Sequence, residues 1–348
     1  MSGTIGAAGM PAGTLGMLAR DSAAVRQRMD VLIQQAATGR TAETYAGLGA
    51  RATISIDLRP GLERINTYAN NISQADTRLG ITGTALQQLS NIASSFAAQT
   101  INMSAQTSTA VNSIAVQAGM ALQQVQTLLN SEVGGHYLFA GQDSANQPVP
   151  DPQFQAFVAA VKTPVAALSA TNAAATTAAT LTAANGASIT SVTLGTARVR
   201  VQLGDGADLP SGVLAGQNAY AVQTASSSTG SYVKDLVRSL ATLAAMSSGQ
   251  AALGAGFTSF VTDIGSSLQG VVAALGTEMA GVGQEQIGLK DQKASLSDVA
   301  TALSAQLSSV EDVDMAATAT ALSAVQTQLQ ASYRLISNMQ NMSLVGYL

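Results

Sequence analysis

Large apolar residues recur at every seventh place over four separate stretches, and this repeat limits the chain more than any other feature. Leu18, Val25 and Leu32 carry it near the start, and Leu58, Ile65, Ile72, Leu79 and Leu86 carry it through five positions. Val282, Leu289, Leu296, Leu303 and Val310 resume it late in the chain. Met315, Leu322, Leu329 and Ile336 extend it towards the end, with Thr318, Val325, Ser332 and Met339 each three places further on. Apolar residues spaced this way form a single stripe along a helix, and the stripe requires another helix to cover it.

The last stretch shows the requirement most plainly. Asp312 or Asp314 can cap the first-turn amides, and their charge suits the positive end of the helix dipole. Leu344, Val345, Tyr347 and Leu348 then make an apolar end where a polar, frayed tail is usual. A seam of so few large side chains does not offset the backbone entropy of ordering the helix alone. Its partner must come from the same chain or from neighbouring copies.

Composition agrees with thin helical seams. Only 10% of the 348 residues are charged, aromatics are 4% and tryptophan is absent, unlike the core of a large enzyme. The net charge is −4 and no basic stripe exists, which argues against nucleic-acid binding. With no cysteine, neither a disulfide nor a thiolate metal site can form. Residues 1–19 lack a basic leader segment and contain Pro11 and Gly13, so a cleaved secretory peptide is not expected. Residues 79–131 contain no charged residue, yet Gln, Ser, Thr and Asn recur too often for a membrane span. A neutral solvated face and a face buried against other subunits both suit that stretch.

In chain order, a first helix is expected up to about Thr38, closed by Gly39, followed by a loop or broken helix over 41–50. A long helix starts at Arg51, with Pro60 a possible kink, and another spans about 107–133 before Gly134 and Gly135. His136 to Phe139 reads as a short strand or extended turn packing its rings on helix ends. Four prolines between 148 and 164, an Ala/Thr tract at 170–184 and two alternating runs (Ile189, Val192, Leu194; Val199, Val201, Leu203) predict a small β-containing insert with a low-complexity connection. Helical periodicity returns with Val233, Leu236, Leu240 and Leu243. The predicted fold class is therefore mainly α with a small β-containing insert: an elongated antiparallel helical coiled-coil rod built from both terminal segments. Its intrachain seam joins Leu58, Ile65, Ile72, Leu79 and Leu86 to Val282, Leu289, Leu296, Leu303 and Val310.

Chemistry finds no foothold. His136 is the sole histidine and is expected to pack beside Tyr137. Glu311, Asp312 and Asp314 suit capping better than metal binding, and the Gly204-Asp205-Gly206 turn lacks a phosphate-loop context. Three Asn-X-Ser triplets, at Asn71, Asn102 and Asn341, fall in predicted helices. An enzyme on the insert would have to use Asp143, Asp151, Lys162, Arg198, Arg200, Asp205 and Asp208, among which no nucleophile and base pair is suggested. No enzyme, cofactor or metal site is expected.

Particular segments carry a family resemblance. Residues 308–315 (SSVEDVDM), 327–333 (TQLQASY) and 342–348 (MSLVGYL) resemble the C-terminal segment of bacterial flagellins and their hook-associated relatives. Residues 38–40 (TGR) and Tyr68 to Ile72, with Ala75, Leu79 and Leu86, resemble the front arm of that family. Residues 41–50 depart from its usual Pro-Ser-Asp-Asp-like loop. The glycine-bounded 135–141 (GHYLFAG) is similar to a segment of the branch that joins hook to filament; filament flagellin is the alternative within the family, and a non-flagellar coiled-coil secretion or adaptor protein the alternative outside it. The resemblance implies export through the flagellar type III apparatus without a cleaved signal peptide. It also implies an extracellular location, and as partners copies of itself, a neighbouring hook-associated protein, flagellin and an export chaperone for the C-terminal segment. It divides the chain into an N-terminal polymer-core helix (1–40, disordered in the monomer), a front arm (41–140), a variable outer insert (141–230), a return arm (231–310) and a C-terminal polymer-core helix (311–348). The expected subunit interface is Leu18, Val25, Leu32, Leu322, Val325, Leu329, Ile336, Met339, Leu344 and Leu348.

Overall fold

Helices dominate the computed structural model, which describes residues 12–103, 108–191 and 197–345. Two small antiparallel sheets are the only sheets among the described residues. Contacts divide the chain into two units, one made of residues 1–65 and 298–348, the other of residues 66–297.

The first unit is built on two terminal helices, α1 (Ala12–Thr38) and α10 (Met315–Val345), which pack on each other. Gly39 closes α1, its N–H donating to the Gln35 carbonyl at 2.9 Å. Asp314 opens α10: its Oδ1 accepts from the amides of Ala316 and Ala317 at 2.9 and 3.0 Å, as the sequence suggested. Between Gly39 and the long helix lie a four-residue α2 (Tyr45–Leu48) and a 3-10 turn, Gly49–Arg51, so of the loop or broken helix expected over 41–50 both are present, a loop first and short helical turns after it. The start of α3 (Ala52–Met103) and the end of α9 (Ala255–Glu311) complete this unit. Pro60 lies inside α3 without ending it.

The second unit holds the main core. Its helix pair is antiparallel: Gln286 of α9 donates to Asp76 of α3, while Gly265 lies against Thr100, so one number rises as the other falls. Within it Ile72, Leu79 and Leu86 face the core with Val282 and Leu289, all at most 2% exposed. α4 (Ser108–Leu129) follows, burying Val111, Ala118, Ala121 and Val125. The chain then makes a tight hairpin of β1 (Glu132–Val133) and β2 (His136–Tyr137).

The segment after this hairpin differs from the sequence expectation. The proline-rich stretch expected to belong to a β-containing insert holds a helix, α5 (Asp151–Val165), with Pro150 at its cap and Pro152 in its first turn, where a missing N–H costs nothing. The Ala/Thr tract expected to be a low-complexity connection is helix α6 (Ala173–Gly186). Ala173, Thr176, Thr180 and Ala184 form its buried stripe, and high alanine content favours the helix. The β element is the hairpin of β3 (Val199–Gly204) and β4 (Ala207–Ser211), closed by the Gly204-Asp205-Gly206 turn. Val192 and Leu194 lie outside the described residues.

Helix α7 (Tyr232–Ala244) lies at the centre of this unit, touching α4, α5 and α6, and is buried on every face. Its Asp235 accepts from the Thr229 amide and Ser228 hydroxyl, and Arg238 donates to the Ser227 carbonyl and to Ser267, both at 2.8 Å. Buried charge is thus tied to the turn before α7 and to α9. A short α8 (Ser248–Ala251) leads into α9.

Candidate assembly surface

In the terminal helix pair, Val325 and Leu329 are buried, whereas Val25, Leu32, Leu322 and Ile336 are half-buried. The side chains of Leu18, Met339 and Leu344, and Leu348 entirely, lie outside the described residues. A second apolar set faces away from this seam. Val31 and Ile33 on α1, with Tyr333 and Leu335 on α10, are between 45% and 50% exposed, and Met17 and Met315 are exposed as well. All but Met315, which opens the terminal heptad, escape a heptad count because they sit off its register. Their exposure on two packed helices marks a surface suited to further association.

The connectors to these helices are fastened to each other. The Thr41 amide donates to the Glu311 carbonyl at 2.6 Å and the Val313 amide to the Gly39 carbonyl at 3.0 Å, forming an antiparallel bridge between Arg40 and Asp312. Glu311 is not a helix cap. It ends α9, and its carboxylate takes both Nε and Nη2 of Arg59, at 2.9 and 2.6 Å, together with the Ser55 hydroxyl. The Arg59 hydrogen bonds and the Ser55 hydroxyl hold the Glu311 carboxyl below the usual carboxylate range, although burial opposes them. Asp312 accepts from Ser308 instead of capping α10.

In the second unit two acids of α9 hold the segment that follows β4. Glu278, fully buried, accepts at Oε1 from the consecutive amides of Ala219, Tyr220 and Ala221, each at 2.9 Å. Glu285 pairs with Arg198 at 2.6 Å and also takes the Tyr220 hydroxyl and the Gly212 amide. Burial and the neighbouring Glu285 push the Tyr220 phenol upward. The Tyr220 ring lies over Gly281, where an added Cβ would come within 2.3 Å of it, and the Arg198 guanidinium stacks on the ring at 5.0 Å from its centroid. Sequence reasoning missed this cradle, but a signal existed: Glu278 and Glu285 stand four before and three after Val282, on the inner register of the same heptad.

The remaining candidates fall into place. His136 is exposed, its Nδ1 3.0 Å from the Ser144 hydroxyl, rather than packed beside Tyr137. Asp205 accepts from the Tyr68 hydroxyl at 2.6 Å, tying the β3–β4 turn to α3. Leu58, Ile65, Leu296 and Leu303 are half-buried and Val310 is buried. Among the described residues no group of three potential metal ligands gathers, and no helix is long and apolar enough to cross a membrane.

Residues 18–144 match the bacterial flagellin N-terminal helical region, and residues 266–348 match the bacterial flagellin C-terminal helical region, together more than half of the chain. The chain belongs to the bacterial flagellin family. No curated protein matches it. As a flagellin-family member it is a structural subunit of the flagellum, and the family polymerises with itself and is exported to form that extracellular appendage. The flagellin matches leave out residues 145–265, which hold α5, α6, the β3–β4 hairpin and α7.

Proposed function

We propose that this flagellin-family chain is the junction subunit that links hook to filament. The glycine-bounded segment 135–141 supports this reading most. Phe139 is fully buried, its carbonyl accepts from the Ala215 amide at 2.9 Å, and Gly141 has a φ of 61°. An added Cβ at Gly141 would sit 2.5 Å from the Ala197 carbonyl, so only glycine fits this entry to the outer segment. The segment is thus a built turn, and it is the part of the chain similar to the junction branch.

In this role the terminal helices supply the polymer contacts. Leu18, Val25, Leu32, Leu322, Val325, Leu329, Ile336, Met339, Leu344 and Leu348 form the core shared with neighbouring copies, with a hook-associated protein on one side and flagellin on the other. A contact that is not closed by two-fold symmetry propagates as a ring stack or tube. Export proceeds through the flagellar type III apparatus, with a chaperone on the C-terminal segment. Immunogold labelling of intact flagella tests the assignment: a single band at the end of the hook is expected, and label along the whole filament would make the chain a filament flagellin instead.

A further inference from the structure

A groove of about 290 Å³ opens in the second unit beside α3 and the β3–β4 hairpin. Leu79 and Val201 line its apolar part, Arg78, Arg200 and His136 supply its cations, and no carboxylate lines it. Two of those groups are engaged: Arg200 lies 3.5 Å from Asp208, and His136 contacts Ser144. Arg78 is half-buried and makes no ion pair or side-chain hydrogen bond among the described residues.

That isolation is unusual in this chain. Arg59, Arg198 and Arg238 are each half-buried or buried, and each has a carboxylate, from Glu311, Glu285 and Asp235. A guanidinium that lines a groove with no acceptor of its own presents its full fork of donors to an incoming anion. Arg78 also stands one place before the seam residue Leu79, on the flank from which coiled-coil helices reach across to other helices.

We propose that the Arg78 groove receives a carboxylate side chain from a second copy of this chain. The proposal rests on the reading above that the chain is built into the flagellum. The planar guanidinium fork matches a carboxylate in two parallel hydrogen bonds. The chain carries a net −4, and its exposed Asp21, Asp30, Asp57, Asp291 and Asp298 make no ion pair among the described residues. In a self-assembling polymer every copy meets the same surfaces, so an excess of free acids on one copy and an unfilled basic groove on the next are complementary.

Zero-length carbodiimide cross-linking of isolated flagella provides the test, because it joins an amine to a carboxylate only in direct contact. Flagella from cells expressing only Arg78→Lys should yield a dimer-sized band on a denaturing gel, with the introduced amine joined to a carboxylate of another copy. Wild-type and Arg78→Gln flagella should lack it. Arg78→Glu should cut incorporation about tenfold while the purified monomer melts at the wild-type temperature; if that variant melts lower, the Arg78→Lys cross-link alone decides. A link confined to one copy, a link to a different protein, or no link in flagella that contain the variant overturns the proposal. Absence of even the wild-type chain from flagella overturns the reading on which the proposal rests, and the proposal with it.

Discussion

Single side chains set how firmly the segment after β4 is held. Glu278 concentrates three backbone amides on one oxygen in a fully buried place. Glu278→Gln keeps the shape but weakens all three bonds, and urea unfolding should show a loss of about 1–3 kcal/mol. Gly281→Ala pushes a methyl into the Tyr220 ring and should cost about 1–3 kcal/mol, most of it recovered when Tyr220→Ala is added, as a double-mutant cycle would measure. At Glu311 the sign of the pH effect follows from its depressed pKa. Its contribution is complete above the unfolded carboxylate value of about 4.3 and disappears as pH falls through the lower folded value. Thermal melts of the wild type should therefore weaken between pH 5 and acid conditions of about pH 3 more than those of Glu311→Gln.

Helices differ in how much of their environment the sequence reveals. The heptads gave away α3, α9 and α10 because their buried residues are large and their spacing regular. α6 was harder to read: its stripe of Ala173, Thr176, Thr180 and Ala184 has helical spacing but no large side chain, so composition suggested a connection instead. α5 was obscured by prolines that lie at the ends of the helix, where they are tolerated. α7 showed one apolar face, whereas its polar side is buried too: Asp235 is held by Ser228 and Thr229 just ahead of the helix, and Arg238 by Ser227 and by Ser267 of α9, which no local pattern encodes. Because α7 touches three other helices, Leu240→Ala should cost about 2–5 kcal/mol by calorimetry, far more than a similar truncation at exposed Val116 of α4.

At the level of the molecule, the terminal pair has one inward seam and one outward apolar set, and these should fail differently. Leu329→Asp places a charge in the seam between α1 and α10 and should loosen that pair while the second unit keeps its helices by circular dichroism. Leu335→Asp alters only the exposed set and should leave the monomer melt unchanged, yet both variants should be missing from flagella. Normal incorporation of Leu335→Asp would show that the outward set is not an assembly surface. The heptads marked Val325 and Leu329 as residues in need of a partner helix but left open whether the same chain supplied it, and the outward set became visible only once the pair was folded, since exposure is a property of packing and not of spacing.

The bridge between Arg40 and Asp312 has a mechanical consequence. Strands that enter a helix pair side by side and share hydrogen bonds cannot be tugged separately. Tension applied to one terminus is passed through the Thr41 and Val313 amides to the other connector, and Arg59 and Glu311 brace the same point. A part that must survive rotation under load has its two tethers tied together where strain would otherwise peel them apart one at a time.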